Sequence, residues 1–197
     1  MPVFKHLTPL GKLVAGTILL ALVVLGGFFW LNGYIYQEKQ GPQDHKDATY
    51  IFSGEPVTLQ NGVGKTTMTL GQEGMSTIRY FGNEAKGDID GDGIVDLVFL
   101  MTQETSDGKT YFYLVGAMQT EANTYNGTQA VLIGDRVAPQ TTEFRDGLII
   151  VNYADRTPGE PMTAQPSMGK SLYLKYSVDN NDFGEVVQNF EGEVGGS

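Results

Sequence analysis

Between Leu13 and Leu31 the chain reads LVAGTILLALVVLGGFFWL, 19 residues without a charge. As a helix rising 1.5 Å per residue, this stretch would reach about 30 Å, the thickness of one hydrocarbon core. A buried helix of a soluble domain would show a polar stripe, and none is present here. Lys5 and Lys12 precede the stretch, as they would in a cleaved signal peptide. The apolar run is long for one, however, and Asn32-Gly33-Tyr34-Ile35-Tyr36 offers no A-x-A-like cleavage site. We therefore expect a membrane anchor over 13–31. The positive-inside rule keeps residues 1–12 cytoplasmic and exports the chain beyond Leu31, with Tyr34 and Tyr36 at the interface. Gly16, Gly26 and Gly27 lie in the anchor, where small residues can form a helix-packing face. No G-F-T-L-x-E processing site precedes the helix, which excludes a type IV pilin.

Charge separates at the same point. Residues 1–31 carry two lysines and no acid, whereas 32–197 hold 11 basic and 23 acidic side chains, a net charge of −12. That surface repels phosphate backbones, so nucleic acid is not expected as a partner. The absence of cysteine removes disulfides, thiolate nucleophiles and zinc–thiolate sites. Residues 32–48 are polar and contain Gly41-Pro42, the composition of a solvated linker, and His45 is expected there as a solvated side chain.

From 49 to 193 no stretch sustains a 3.6-residue period. Short runs rich in Val, Ile, Leu, Tyr and Phe instead recur between turn dipeptides, which predicts a mostly β domain, with 194–197 as a tail. Strands are expected over 50–52, 57–60, 77–81, 95–102, 109–118, 129–133, 141–144, 148–153, 171–176 and 185–190. Asp107-Gly108 and Asp146-Gly147 supply the positive φ that tight hairpins need, so an antiparallel meander is expected, as a sandwich or small barrel. VDLVFLM and YFYLVGAM are nearly continuous in apolar residues, as in central strands covered on both faces.

The chemistry concentrates in Gly87-Asp88-Ile89-Asp90-Gly91-Asp92-Gly93-Ile94-Val95-Asp96-Leu97. Acids at positions 1, 3, 5 and 9 with glycine at 6 match the spacing at which a tight loop converges oxygen ligands on Ca²⁺. Asp88, Asp90, Asp92 and Asp96 would offer carboxylates, Ile94 its carbonyl, and Gly93 the sharp turn. Two carboxylates about 4 Å apart repel by about 4 kcal/mol at an effective dielectric near 20, so a cation would make the cluster favourable. The bland alternative is a solvated acidic turn. An all-oxygen donor set favours calcium over zinc or copper. An EF-hand is excluded, because position 12 is Phe99 and a strand pattern comes after it.

IRYF, then GDIDGDGIVDL, then a hydrophobic strand resembles the FG-GAP repeat, the integrin α-type or VCBS-like unit, over about Ile78 to Met101. The resemblance implies that the calcium loop joins two strands of a blade. That family carries several copies and this chain shows one, and about 145 residues are too few for a seven-bladed propeller. Asp179-Asn180-Asn181-Asp182-Phe183-Gly184, the nearest second copy, has Phe183 at position 5 and reads as a hairpin turn. YIFSGEPVTLQNGV, RYFGNEAKGDIDGDG, GDRVAPQTTE and VNYADRTPGEPMTAQPSMGKS also resemble a group of small exported bacterial proteins, which implies a place in the cell envelope.

Ala154 to Lys170 is the longest segment without a strand pattern. Its Asp155, Arg156, Glu160, Met162 and Met168 are candidates for a partner contact, unless Asp155 and Arg156 merely pair locally. Two motifs are set aside: Gly62-Val63-Gly64-Lys65-Thr66-Thr67 lacks the first glycine of a phosphate loop, and Asn126-Gly127-Thr128 reads as a turn more readily than as a glycosylation site. The expectation is a membrane-anchored, extracytoplasmic, calcium-binding β domain that binds a protein or glycan partner without catalysis. The alternative is a glycan hydrolase using two acids such as Glu84, Glu104 or Glu160, which would need a cleft with paired carboxylates.

Overall fold

The computed structural model describes residues 8–35, 41–69 and 72–187, and the chain divides into two compact units, 1–40 and 41–197. In the first, helix α1 spans Pro9–Ile35. The Thr8 hydroxyl accepts from the Gly11 amide at its start, and the Thr17 hydroxyl donates to the Val14 carbonyl, so neither polar group is stranded among apolar side chains. Pro9–Leu31 is long and apolar enough to cross a membrane, and its large apolar side chains are exposed. The helix starts four residues before the uncharged run and ends four after it.

The second unit is almost entirely antiparallel sheet. Its strands are β1 (Thr49–Phe52), β2 (Glu55–Thr58), β3 (Val63–Thr69), β4 (Gln72–Gly87), β5 (Asp96–Glu104), β6 (Thr110–Gln119), β7 (Tyr125–Gly127), β8 (Val131–Asp135), β9 (Ala138–Arg145), β10 (Leu148–Asp155), β11 (Met168–Ser177) and β12 (Asp182–Glu185). A curled sheet runs β3-β4-β5-β6-β7, with β8 also pairing β6; a second runs β12-β11-β10-β9, and β1-β2 form a separate hairpin.

Strands β5 and β6 are central because their side chains alternate between two cores. Phe99 pairs with Val115 and Met101 with Tyr113, facing Tyr50, Phe52, Val57 and Leu59 of the hairpin layer. Leu100 pairs with Leu114 on the opposite face, against Ile149, Val151, Leu174 and Phe183 of the four-stranded sheet. Fully burying each such side chain contributes about 1.5 to 3 kcal/mol. A one-residue slip would exchange the two faces, so packing on both sides pins the register.

Several expected boundaries move. The strand expected over 77–81 is the 16-residue β4, with irregular register at Tyr80/Gly82 and Gly82/Ala85. Bulges displace the alternation beyond Tyr80, and 72–76 (QEGMS) lack an apolar pattern, which is why only the middle of the strand read as one. Strands β3 and β7 were not expected. The first, VGKTTMT, has three threonines and few apolar residues. The second ends at Gly127, where the Thr49 carbonyl and the Tyr50 ring occupy the space a β-carbon would need, so Asn126-Gly127 is strand and not a turn. Val63–Thr69 likewise turns the discarded phosphate-loop tract into a strand, after a turn at Asn61-Gly62 with φ 50° and 79°. The final strand lies at 182–185 instead of 185–190, and 188–190 fall outside the described residues.

The expected solvated linker also changes. Residues 41–48 belong to the β unit: Tyr125 donates its amide to the Pro42 carbonyl, Gly62 donates to Lys46, and Leu59 donates to Ala48, which is fully buried.

Candidate metal centre

Strand β4 ends at Gly87, whose missing side chain leaves room for the Phe144 ring of β9. The acidic loop begins at the next residue and closes at Asp96, the first residue of β5. Gly91 and Gly93 hold φ of 86° and 88°, the left-handed conformation that lets the loop turn within a few residues.

Asp96 organises the loop. It has no exposed surface, and three backbone amides donate to its carboxylate: Ile89 at 2.9 Å and Asp90 at 3.3 Å to Oδ2, and Gln119 at 2.8 Å to Oδ1. Asp88 caps the amides of Gly91 (2.8 Å) and Gly93 (3.1 Å). Asp90 accepts from Asp92 at 3.1 Å, and Asp92 from Ile94 at 2.7 Å. The turn is therefore laced by side-chain-to-backbone bonds that any chain with aspartate in these places would form.

One carboxylate oxygen from each of Asp88, Asp90 and Asp96 lies within 4.8 Å of the other two. Oxygens bound at 2.3–2.6 Å on opposite sides of a single calcium would stand about 4.6 to 5.2 Å apart, so the three could share one ion. The donor set is all oxygen, which suits a hard divalent cation. A carboxylate has about four lone-pair sites, so each acid retains acceptor capacity after its amide bonds. Burial raises the Asp96 pKa from the usual carboxylate range, and the negative charge of Asp90 adds to this, while the three amides oppose it. A cation would reverse that balance. Of the five residues expected as ligands, these three converge. Asp92 lies outside the converging group with its carboxylate on the Ile94 amide, and Ile94 comes later in the same turn.

The residues expected at a partner loop are largely spent on building it. Asp155 binds Lys170 at 2.6 Å, and the pair lowers the Asp155 pKa. The Arg156 guanidinium donates to the carbonyls of Ala164 and Arg136, both at 2.8 Å, tying the loop to the β8–β9 turn. Glu160 accepts from the Thr157 amide. Met162 is exposed, and Met168 begins β11 partly covered. Asp155 and Arg156 thus do not pair with each other through their side chains but with Lys170 and with backbone.

His45 is not solvated. Its ring packs edge-on to Tyr80, Phe99 and Tyr125, with Nε2 3.3 Å from Glu84 and Nδ1 3.5 Å from Asp44. Glu84 also accepts from the Tyr80 hydroxyl at 2.6 Å. Glu104 pairs with Arg79 at 3.4 Å, and Glu160 caps its own loop, so these three acids occupy separate places.

A cleft of about 550 Å³ opens beside the acidic loop, lined by Asp90, Met118, Tyr125, Asn126, Tyr176 and Asn181 among others. Burial raises the Tyr176 pKa, with the charges of Asp90 and Asp96 adding to it, which places its phenol in their field. Sequence reading did not anticipate this cleft. Its walls come from the acidic loop, β7 and the β11–β12 turn, and only folding brings these segments together.

No family model, curated protein or solved structure matches the chain.

Proposed function

We propose that the chain is a single-pass membrane protein whose exported β unit binds one calcium ion and acts as a non-enzymatic binding module of the cell envelope. The observation that carries this is the convergence of Asp88, Asp90 and Asp96 within 4.8 Å, in a chain that also has an apolar helix over Pro9–Leu31 with its large side chains exposed. The likeness of the loop to an FG-GAP calcium loop supports the same reading, as does its position between two neighbouring strands of one sheet. Lys5 and Lys12, ahead of the uncharged run at 13–31, favour an amino terminus inside and the β unit outside. In the loop, Asp88, Asp90 and Asp96 would hold the ion. Its contribution would be to neutralise their charge and lock the β4–β5 connection. The hydrolase alternative draws no support from the cleft, whose described lining carries one carboxylate, Asp90, where paired acids would be needed.

The test is calorimetric titration of the full chain in lipid nanodiscs with calcium and with magnesium. Calcium should bind at one site, in the range of about 10⁻⁴ to 10⁻³ M typical of extracellular modules, and Asp90→Ala should abolish it. Undiminished binding to Asp90→Ala would place the ion elsewhere. Orientation is checked by protease added to sealed vesicles: only an outward-facing β unit is cut from outside.

A further inference from the structure

Residues 41–48 form a strap on the β unit, and four amides find their acceptors on it. Tyr125 donates to the Pro42 carbonyl at 2.9 Å, Gly62 to Lys46 at 2.8 Å, Leu59 to Ala48 at 3.0 Å, and Asn61 to the Asp47 carboxylate at 2.6 Å. The His45 ring adds its edge contacts with Tyr80, Phe99 and Tyr125. Gly41 lies against the buried Thr124, whose side chain comes within 3.2 Å of where a β-carbon would stand. With the strap docked, 36–40 connect α1 to the β unit; with the strap free, 36–48 would do so.

One end of the strap is held by the same hairpin that holds the acidic loop. Gln119, the last residue of β6, donates its amide to Asp96 Oδ1 at 2.8 Å and pairs in register with Tyr125, the first residue of β7. The turn between them is closed on itself. Thr120 and Thr124 are joined by an amide-to-carbonyl and a hydroxyl-to-hydroxyl bond, both 2.8 Å, and Gln119 Nε2 donates to Asn123 Oδ1 at 2.8 Å. The Asp96 carboxylate therefore serves two elements: Oδ2 takes the loop amides of Ile89 and Asp90, and Oδ1 takes the hairpin. Three like charges within 4.8 Å push the loop apart and so shift the carboxylate from which the hairpin hangs, whereas a shared cation removes the repulsion and fixes it. Coupling needs an element with two arrangements, and the strap, docked or free, is one.

We infer that ion binding at the acidic loop clamps the 41–48 strap through the β6–β7 hairpin, so that calcium shortens the free connection between α1 and the β unit. The inference rests on the calcium reading above and names what the ion regulates. Coupling is reciprocal: a docked strap tightens ion binding by the factor by which the ion tightens the strap.

The experiment is amide hydrogen exchange, followed by NMR on the full chain in nanodiscs of zwitterionic lipid, in EGTA and in about 10 mM calcium, well above the affinity expected of an extracellular module. Calcium should slow the amides of Leu59, Asn61, Gly62 and Tyr125 by at least about fivefold. Those of Glu160, Ala164 and Ser167, whose acceptors Thr157, Pro161 and Asp155 lie in another loop, should keep their rates. Asp90→Ala should abolish the slowing. Replacing 41–48 by glycine and serine in the full chain should weaken calcium binding, read by calorimetry, by the same factor; if that variant does not fold, the exchange rates decide alone. Calcium that binds without slowing the four amides, or that slows 160, 164 and 167 equally, overturns the inference and leaves the ion reading standing. Unchanged calcium affinity in a folded strap variant does the same. Slowing that survives Asp90→Ala overturns the inference as well, and absence of calcium binding overturns both readings.

Discussion

Asp96 and Asp90 stand in the same turn, yet their replacement should have opposite consequences. Asp96 is fully buried and satisfies three backbone donors. Leaving a buried donor without an acceptor costs about 1 to 3 kcal/mol, so the three donors stranded by Asp96→Ala come to about 3 to 9 kcal/mol before water reaches any of them. Removing a buried charge beside Asp90 returns part of that, and a net loss of about 2 to 4 kcal/mol remains. For a unit of this size the melting midpoint should fall by on the order of 10 °C. This loss should appear in EGTA, since it comes from the amides and not from an ion. Asp90→Ala removes one acceptor bond in the exposed turn and relieves repulsion on Asp96, so in EGTA it should change stability by less than about 0.5 kcal/mol. With about 2 mM calcium the unaltered chain should gain about 0.7 to 1.8 kcal/mol by mass action, and Asp90→Ala should gain none. The assay is thermal unfolding by circular dichroism of the full chain in nanodiscs, for three proteins in two buffers. An Asp96→Ala midpoint unchanged in EGTA would refute the role given to the buried carboxylate. A calcium shift surviving in Asp90→Ala would refute the shared ion.

Three further outcomes are expected. Truncation to residue 49 should destabilise the β unit by about 3 to 5 kcal/mol relative to truncation at residue 41, because it removes Ala48, the His45 ring and the carbonyls that accept from Tyr125, Gly62, Leu59 and the Tyr50 hydroxyl; urea unfolding of the two fragments measures this. Lys170 lowers the Asp155 pKa in the fold, so the pair's stabilisation is present above the ordinary aspartate pKa of about 3.9 and is lost as pH falls through the depressed value. Lys170→Met should therefore cost up to about 1 kcal/mol at neutral pH and nothing at the acid end, as read from midpoints across a pH series. Arg156→Met, which loses two carbonyl contacts, should speed amide hydrogen exchange over 157–167 by at least about tenfold and leave β5 and β6 unchanged.

Much of this architecture was legible in linear order, for reasons tied to particular residues. The apolar run at 13–31 declares a helix because nothing in it could satisfy a soluble surface, and α1 extends only one turn past it on either side. VDLVFLM and YFYLVGAM read as central strands because burial on both faces erases alternation, and β5 and β6 do lie between two cores. Asp146-Gly147 specified its hairpin through left-handed φ of 54° and 74°. The acids at 88, 90 and 96 were legible because their spacing is local to one turn. Strand β7 and the packing of 41–48 were not, since both depend on neighbours remote in sequence: Gly127 lies under Thr49, and His45 among Tyr80, Phe99 and Tyr125.

Local periodicity and turn chemistry thus determined the long apolar helix, the strand-rich class and the acidic turn, because each is an interaction among residues a few positions apart. Tertiary structure alone decided that Asp96 is buried with the Gln119 amide, 23 residues away, on its carboxylate. It also decided that Asn181, 54 residues from Gly127, closes the cleft beside that turn. The first contact needs β5 and β6 paired along their whole length and the second needs the two sheets packed together, so neither partner is chosen by a local pattern.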